Sequence, residues 1–265
     1  MKKRLFNLLK KAIVLFIFLC SFLYFFQEKL IFYPQKLNKN HTFNFSQNFQ
    51  ELHFKTTDGK LLNGLLFKSK NTKGLIFYLH GNAGSLNSWG NVAKTFTNFN
   101  YDILLVDYRG FGKSEGTIIS QKQLFEDNQM IYNQINKEYK EQNIIVLGYS
   151  IGTGLAAKLA SDNHPKQVIL QAPYYSLIDL MHQKVSFIPS FLLKYKFETN
   201  KYLKNCKMPI TVFHGNQDRV INYNSSLKLK NELKNKITLI TLQNQGHNGM
   251  TDNVKYKTCL KEILL

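Results

Sequence analysis

Short apolar runs and longer amphipathic segments alternate along the chain from residue 50 onwards. The short runs are rich in β-branched and aromatic residues and predict buried strands, whereas the amphipathic segments predict helices. The predicted strands are 51–57, 61–67, 75–79, 103–106, 143–147, 168–171, 210–213 and 237–242. The predicted helices are 89–96, 124–139, 154–160, 224–233 and 254–263. This alternation is typical of an α/β fold, in which a mostly parallel sheet carries helices on both faces.

A turn between the predicted strand 143–147 and the predicted helix 154–160 reads Gly148-Tyr149-Ser150-Ile151-Gly152. This G-x-S-x-G pattern is the form of a nucleophile elbow, in which a strained turn exposes a serine hydroxyl above the positive end of a helix. Glycines suit its flanks because the turn leaves little room for side chains. The pattern also occurs by chance, but the strand before it and the helix after it supply the context that the mechanism requires. Ser150 is therefore the candidate nucleophile.

Two residues of the types that activate a serine follow strands later in the chain. A serine hydroxyl needs a general base, and the base needs an orienting acid. Asp218 comes after the predicted strand 210–213, and His247 comes after 237–242. The carboxyl ends of parallel strands form the edge at which active sites of such sheets lie. The sequence predicts a triad of Ser150, His247 and Asp218; Asp179, which also follows a strand, is a second and weaker candidate for the acid.

The turn after the predicted strand 75–79 reads His80-Gly81-Asn82-Ala83-Gly84. In serine hydrolases a turn at this position supplies one backbone N–H group of the oxyanion hole, and the residue after the nucleophile supplies the other. The predicted donors are the N–H groups of Asn82, or alternatively Ala83, and of Ile151. A plain strand-to-helix connection would also explain the glycines of this turn.

Residues 107–114, with the sequence Asp-Tyr-Arg-Gly-Phe-Gly-Lys-Ser, end like a phosphate-binding loop. That loop requires a glycine five positions before Gly112, where this chain has Asp107, so nucleotide binding is excluded. We expect Asp107 and Arg109 instead to fix a loop near the oxyanion turn through hydrogen bonds.

These motifs resemble those of serine hydrolases with the α/β-hydrolase fold. They most resemble the membrane-anchored subgroup that includes lysophospholipase-like and protein-depalmitoylase-like enzymes. The resemblance covers residues from about 50 to the C-terminus, and it is carried by segments 80–84, 107–114, 148–152, 172–177, 214–220 and 246–248. It implies the α/β-hydrolase fold and a catalytic domain that needs no cofactor. It does not select a substrate, since one fold serves many. The chain departs from the pattern at Asn222, where relatives often carry proline.

The alternation of strands and helices is interrupted between Pro173 and Pro209. Enzymes of the resembled family carry a cap over the active site there, so we expect a cap insertion at about 174–207. Its run from Phe187 to Phe197 is apolar and broken by lysines. These side chains either line an acyl-chain pocket or touch a membrane surface, or they simply pack against the domain below.

The first 33 residues are predicted to be a membrane anchor and its flank, and residues 50–265 the catalytic domain. Residues 12–26 carry no charge, and these 15 residues would extend roughly 22 Å as a helix, short of a ~30 Å hydrocarbon core. Residues 5–9 can lengthen the helix, and Lys10 and Lys11 can snorkel. A cleaved signal peptide is the alternative, but bulky residues stand where its small-residue cleavage site would be.

The charges around the apolar run predict a single-pass orientation. The five basic residues before it place the N-terminus inside and the catalytic domain outside. Lys29, Lys36 and Lys39, on the far side of the run, weaken this expectation.

The formal net charge is +18, from 35 basic and 17 acidic residues. Either a solvated lysine-rich surface or attraction to anionic lipid headgroups explains it. No recognised nucleic-acid-binding motif accompanies the charge, so nucleic acid is not an expected partner. Cys206 and Cys259 could pair, no metal-ligand spacing occurs, and His80 and His214 are expected to be structural.

The predicted function is hydrolysis of an ester or thioester in a small-molecule or lipid-like acyl substrate. A serine peptidase on the same fold is one alternative, and an inactive membrane-tethered binding protein is another. A peptidase of this fold usually carries an extra domain or a charged pocket for peptide termini, and neither is evident in the sequence. An inactive relative typically lacks a triad residue, whereas all three are present here.

Overall fold

The structure is a computed structural model, and it describes residues 2–185 and 188–265. The strands are β1 Tyr33–Pro34, β2 Phe49–Lys55, β3 Leu61–Phe67, β4 Leu75–Leu79, β5 Ala83–Gly84, β6 Asp102–Val106, β7 Ile144–Tyr149, β8 Gln167–Gln171, β9 Ile210–Gly215 and β10 Ile237–Leu242. The α-helices are α1 Lys2–Ile31, α2 Leu86–Trp89, α3 Ala93–Thr97, α4 Gln121–Ile135, α5 Gly152–Asp162, α6 Leu177–Lys184, α7 Thr199–Asn205, α8 Asn224–Glu232 and α9 Val254–Leu264. Short 3₁₀ helices lie at Gly90–Val92, Glu141–Asn143, Ser190–Leu192 and Met250–Asp252.

Eight strands form the central sheet in the order β10-β9-β8-β7-β4-β6-β3-β2. Neighbouring strands are parallel from β10 to β6, and β3 runs antiparallel to both β2 and β6. β4, β6, β7 and β8 are buried along their whole length. Strands buried on both faces need continuous apolar runs, which is why these four could be predicted from the sequence.

Alternate residues of β7 face two separate hydrophobic clusters, one on each side of the sheet. Ile144 and Val146 pack into the cluster that includes Leu155 of α5. Ile145 and Leu147 pack into the cluster that includes Leu260 of α9. This period of two fixes the register of the strand, and with it the position of the turn that follows.

The predicted helix at 89–96 is wrong in detail, because α2 and α3 are separated there by the 3₁₀ turn Gly90–Val92. Glycine and valine are weak helix formers. Gly90 also lies so close to the ring of Phe45 that a Cβ atom at this position would overlap it. α4 begins earlier than predicted because Ser120 caps it, with the Ser120 hydroxyl accepting from the Gln123 N–H at 3.1 Å.

α1 is a 30-residue helix whose first part, residues 2–19, is exposed throughout. It is the one helix of the described chain that is long and apolar enough to cross a membrane. Its C-terminal end packs on the domain that contains the sheet. The buried Gln27 amide donates to the carbonyl of Leu192 at 2.7 Å and accepts from the N–H of Lys194 at 2.9 Å.

The residues between the two predicted units also pack on the domain. β1 pairs with β5, the strand of the turn after β4, and Lys36 forms a single bridge with Gly112. Phe43 is buried in the core cluster on one face of the sheet. The chain between α1 and β2 therefore connects the helix to the domain through specific contacts along its length.

The predicted cap contains α6, the 3₁₀ turn Ser190–Leu192 and α7. Its apolar residues have different surroundings. Tyr195 and Phe197 are fully buried against the domain, whereas Leu192 and Leu193 line a cavity beside α1. Phe191 is 79% exposed. Phe187, which belongs to the same predicted run, lies outside the described residues.

Candidate active site

The turn between β7 and α5 has the geometry of a strained elbow. Ser150 lies in the left-handed region with φ of +53°, a conformation that non-glycine residues adopt at a cost. Neither Gly148 nor Gly152 has room for a side chain: a Cβ on Gly148 would overlap the Gly152 carbonyl, and one on Gly152 would overlap the Leu79 carbonyl at the end of β4. The Ser150 N–H donates to the backbone carbonyl of Gln171, the last residue of β8, at 2.9 Å. The serine is thus held at the carboxyl edge of the sheet.

The three residues predicted as a triad come together at this edge. His247 Nε2 lies 3.0 Å from Ser150 Oγ, and His247 Nδ1 lies 2.6 Å from Asp218 Oδ2. Both separations are hydrogen-bond distances. Asp179, the second candidate acid, is elsewhere: its carboxylate accepts from Lys228 Nζ at 2.6 Å and from the Gln183 amide at 2.7 Å. The geometry selects Asp218 as the partner of His247.

The two oxygens of Asp218 have different partners. Oδ1 accepts from the backbone N–H groups of Val220 and Ile221 at 2.8 and 2.9 Å. Oδ2 faces His247 and also His214, whose Nε2 is 3.3 Å away. Burial raises the pKa of Asp218, but the hydrogen bonds from His214, His247 and Ile221 outweigh that effect and lower the pKa well below its ordinary value. Asp218 is therefore a carboxylate at neutral pH.

His214 supports the acid from the buried side, a role that sequence reasoning missed. Its Nε2 lies 3.0 Å from the Ile221 carbonyl, which can only accept, so this nitrogen carries the proton. Its Nδ1 is then the acceptor for the Ser226 hydroxyl at 2.7 Å. The Nε2–H group is consequently aimed at both Ile221 and Asp218. Its position at the carboxyl end of β9, four residues before Asp218, is the signal that could have indicated this role.

Tyr149 is a second supporting residue that the sequence did not indicate. Its hydroxyl donates to the backbone carbonyl of His247 at 2.9 Å and lies 3.1 Å from Asn248 Oδ1. Its ring centroid is 5.4 Å from that of His247. Tyr149, the last residue of β7, thus connects the loop that contains His247 to the strand that precedes Ser150.

The predicted oxyanion donors lie beside Ser150. Asn82 and Ile151 line the same cavity as Ser150, whereas Ala83 does not. Within the described residues, neither the Asn82 nor the Ile151 backbone N–H donates a hydrogen bond to another protein group. Tyr174 Oη donates to the Ile151 carbonyl at 3.0 Å, which fixes the start of α5 directly after the elbow. These N–H groups are thus free to bind a ligand oxygen.

The Asn82 turn is also fixed by the chain that leaves α1. The Asn82 side-chain amide donates to the Ile31 carbonyl at 2.9 Å, and the Tyr33 N–H donates to the Asn82 carbonyl at 2.8 Å. The two hydrogen bonds connect the last turn of the N-terminal helix to the candidate oxyanion site.

Asp107 and Arg109 make the expected kind of hydrogen bonds, but to different parts of the fold. The Asp107 carboxylate accepts from the Leu86 N–H at 3.1 Å, next to the Asn82 turn, and burial raises the pKa of Asp107. Arg109 instead pairs with Asp58 and Asp127 at 2.7 Å, which joins the turn between β2 and β3 to α4. Only Asp107 supports the region of the oxyanion turn.

No group of three or more potential metal ligands occurs among residues 2–185 and 188–265. The cysteines are free thiols, so Cys206 and Cys259 do not form a disulfide. Burial raises the pKa of the Cys206 thiol to about 12. A buried thiol of this kind is unreactive at neutral pH.

Several known proteins are similar to this chain. Residues 70–200 match the family model described as serine aminopeptidase, S33. Protein R595 of Acanthamoeba polyphaga mimivirus, an uncharacterized protein, is 29% identical over 79% of this chain and 80% of that protein. The human alpha/beta hydrolase domain-containing protein 17B is 26% identical over 74% of this chain and 68% of that protein.

Solved structures show the same fold. The Pyrococcus furiosus esterase Pf2001 has a TM-score of 0.70 at 17% sequence identity, covering 88% of this chain and 97% of that one. This likeness confirms the predicted fold class, an α/β-hydrolase fold with a mostly parallel sheet flanked by helices.

Proposed function

We propose that this chain, which has the α/β-hydrolase fold, is a serine hydrolase that cleaves an ester or thioester through an acyl-enzyme on Ser150. The observation that carries the proposal is the unbroken hydrogen-bonded series from Ser150 through His247 to Asp218 at 3.0 and 2.6 Å. The strained elbow exposes the serine hydroxyl to the cavity, as a nucleophile requires.

The reaction begins when Ser150 Oγ attacks the acyl carbonyl carbon and His247 Nε2 accepts the serine proton. The tetrahedral intermediate collapses as the C–O or C–S bond to the leaving group breaks, and His247 returns the proton to that group. Water then attacks the acyl-enzyme while His247 Nε2 accepts a proton from it. When the bond to Ser150 Oγ breaks, His247 returns the proton to the serine and the carboxylic acid is released. Asp218 stabilises the protonated imidazole and holds Nδ1–H, so Nε2 faces the serine.

The N–H groups of Asn82 and Ile151 are assigned to the oxyanion. They border the same cavity as the nucleophile and make no other hydrogen bond within the described chain. One such donor typically contributes ~10²–10³ in turnover. No step requires a cofactor.

An ester or thioester with an acyl or lipid-like group fits the cavity better than a peptide does. The wall around Ser150 consists mainly of Leu30, Ile31, Leu177, Leu180 and Val220. Among the described residues that line it there is no carboxylate to bind a free amino terminus, as an aminopeptidase would need. The matched family is described as a serine aminopeptidase, and the similar Pyrococcus protein is an esterase. The apolar wall of this cavity favours ester hydrolysis.

We further propose that α1 anchors the enzyme in a membrane as a single-pass helix. Its exposed apolar surface supports this role, because residues 2–19 are exposed throughout and a contiguous apolar surface of this kind marks a membrane or interaction site. The basic residues before residue 12 favour an inside N-terminus and an outside catalytic domain.

Activity-based labelling tests the nucleophile directly. The membrane fraction that contains the full chain is treated with a fluorophosphonate probe, with Ser150→Ala as the test variant and Ser161→Ala, on the following helix, as the matched control. We expect the wild type and the control to be labelled and Ser150→Ala to be unlabelled. Labelling that survives in Ser150→Ala would place the nucleophile elsewhere; no labelling of folded wild type would favour the binding-protein alternative.

A further inference from the structure

A series of three apolar cavities runs from Ser150 along α1. The first, about 190 Å³, contains Ser150. The second, about 460 Å³, lies between α1 and α6. Both are bordered by Leu30, Leu177 and Leu180. The third, about 320 Å³, lies between residues 16–25 of α1 and the cap, and it shares Leu192 with the second. The cavities are therefore adjacent along one path from the nucleophile.

The walls of the second cavity are suited to a hydrocarbon ligand. Gln27 is its polar residue from α1, but both ends of the Gln27 amide are engaged by the backbone of Leu192 and Lys194. Lys184 is exposed. α6 contributes Leu177, Leu180 and Met181, yet contains no fully buried residue. A half-exposed apolar face that borders a cavity of this size is typical of a binding site for an apolar ligand.

The far end of the series lies along the charge-free run of α1. The third cavity is lined by Phe16, Ile17, Cys20 and Tyr24, which belong to the uncharged segment 12–26. If α1 is embedded as proposed, this end opens into the hydrocarbon layer, and the other end reaches Ser150. A lipid chain can then enter from the bilayer without crossing water, where each exposed methylene is unfavourable.

We propose that α1 forms one wall of the acyl-chain site, and that the substrate's single long acyl chain extends from Ser150 between α1 and α6 towards the membrane. This inference rests on the proposed function at Ser150. The N-terminal helix then has two roles, since it anchors the enzyme and selects the chain length. Leu23, Leu30 and Ile31 are its specificity-determining residues.

Chain-length selectivity tests this assignment. The full-length protein in phosphatidylcholine vesicles is assayed with p-nitrophenyl esters from butanoyl to hexadecanoyl. For the wild type we expect kcat/KM to rise by up to about fourfold for each methylene that becomes buried, until the path is filled. Leu23→Trp fills part of the second cavity and should lower the hexadecanoyl-to-butanoyl ratio of kcat/KM at least about tenfold, equivalent to losing roughly two buried methylenes.

Leu15→Trp is the matched control, since Leu15 is an exposed residue of the same helix that lines none of these cavities. Its ratio should stay within about twofold of wild type, as is usual for surface positions. An unchanged ratio in Leu23→Trp, or an equal fall in Leu15→Trp, would overturn the proposal.

A binding experiment separates this proposal from the proposed function. Ser150→Ala protein is irradiated with a photoreactive hexadecanoate analogue whose reactive group is near the methyl end, and the adducts are mapped by mass spectrometry. We expect adducts within residues 20–31 and 177–185, competed by hexadecanoate. Adducts elsewhere would refute the acyl site even if the wild type hydrolyses esters. Adducts at these segments of Ser150→Ala, together with no ester hydrolysis by the wild type, would refute the proposed enzyme activity alone.

Discussion

Asp218→Asn should nearly abolish turnover without disturbing the fold. In the native site, Asp218 Oδ1 accepts from two backbone N–H groups, and Oδ2 faces the nitrogens of His247 and His214. An asparagine can keep its oxygen on the backbone side. Its NH₂ group then faces His247 Nδ1, which must become an acceptor. The proton moves to Nε2, and Nε2 can no longer accept the proton of Ser150.

The magnitude follows from this change of tautomer. A base held with the wrong nitrogen protonated lowers kcat by about 10⁴-fold in serine hydrolases, although the triad geometry is retained. The stability effect should be much smaller, since the two backbone hydrogen bonds remain and His214 Nε2–H retains the Ile221 carbonyl at 3.0 Å. The effect should appear in kcat, with little change in KM for a short-chain ester, because Asp218 does not line the cavity at Ser150.

The assay is steady-state hydrolysis of p-nitrophenyl butanoate by the full chain, with thermal unfolding measured on the same samples. Asp179→Asn is the matched control, because Asp179 is bonded to Lys228 and not to His247. It should retain activity within about twofold, because Asp179 is only partly buried and its side-chain bonds lie away from the triad. Activity of Asp218→Asn within about tenfold of wild type would refute the tautomer argument; a large loss in Asp179→Asn would identify the other carboxylate as the acid.

Two further predictions concern stability. Gly152→Ala should lower the unfolding free energy by about 3 kcal/mol and the melting temperature by roughly 6–12 °C, because its Cβ would overlap the Leu79 carbonyl. Gly246→Ala is the control, since a Cβ at that position meets open space. Equal losses of stability in the two variants would contradict the argument. Acid should destabilise the protein through Asp218: its pKa is lowered in the fold, so its stabilisation is present above the unfolded value of about 3.9 and is lost as pH falls through the lower folded value. Melting temperatures below about pH 4 should therefore fall less steeply in Asp218→Asn than in wild type.

The residues of the site that could be predicted are those whose positions follow from the local order of strands and turns along the chain. Ser150, Asp218 and His247 each follow an apolar run, and runs of parallel strands end at one edge of a sheet. Chain order and strand ends were therefore sufficient to bring the three together. The turn 80–84 was identified in the same way, since it follows β4, the neighbour of β7.

The parts that could not be predicted depend on contacts between distant segments. His214 was identifiable as a residue after a strand, but its direction towards Asp218 depends on how the loop through Ile221 folds back. Tyr149 lies within the elbow motif itself, yet its partner is the backbone carbonyl of His247, 98 residues away. The close packing of the Phe45 ring on Gly90, in the turn between α2 and α3, is another such contact. No periodicity in the sequence encodes such contacts.

The contacts of α1 change what the N-terminal segment does for the enzyme. A tether alone would need no specific bonds to the domain, but here Ile31 accepts from the Asn82 amide and the Tyr33 N–H donates to the Asn82 carbonyl. Pairing of β1 with β5 extends the same connection. Since Asn82 is the candidate oxyanion donor, the strand that follows α1 holds the candidate oxyanion turn in place. A chain shortened to begin after residue 33 would lose these bonds as well as the proposed wall of the acyl site. Its lower activity would then result from a damaged site and not from the loss of membrane attachment.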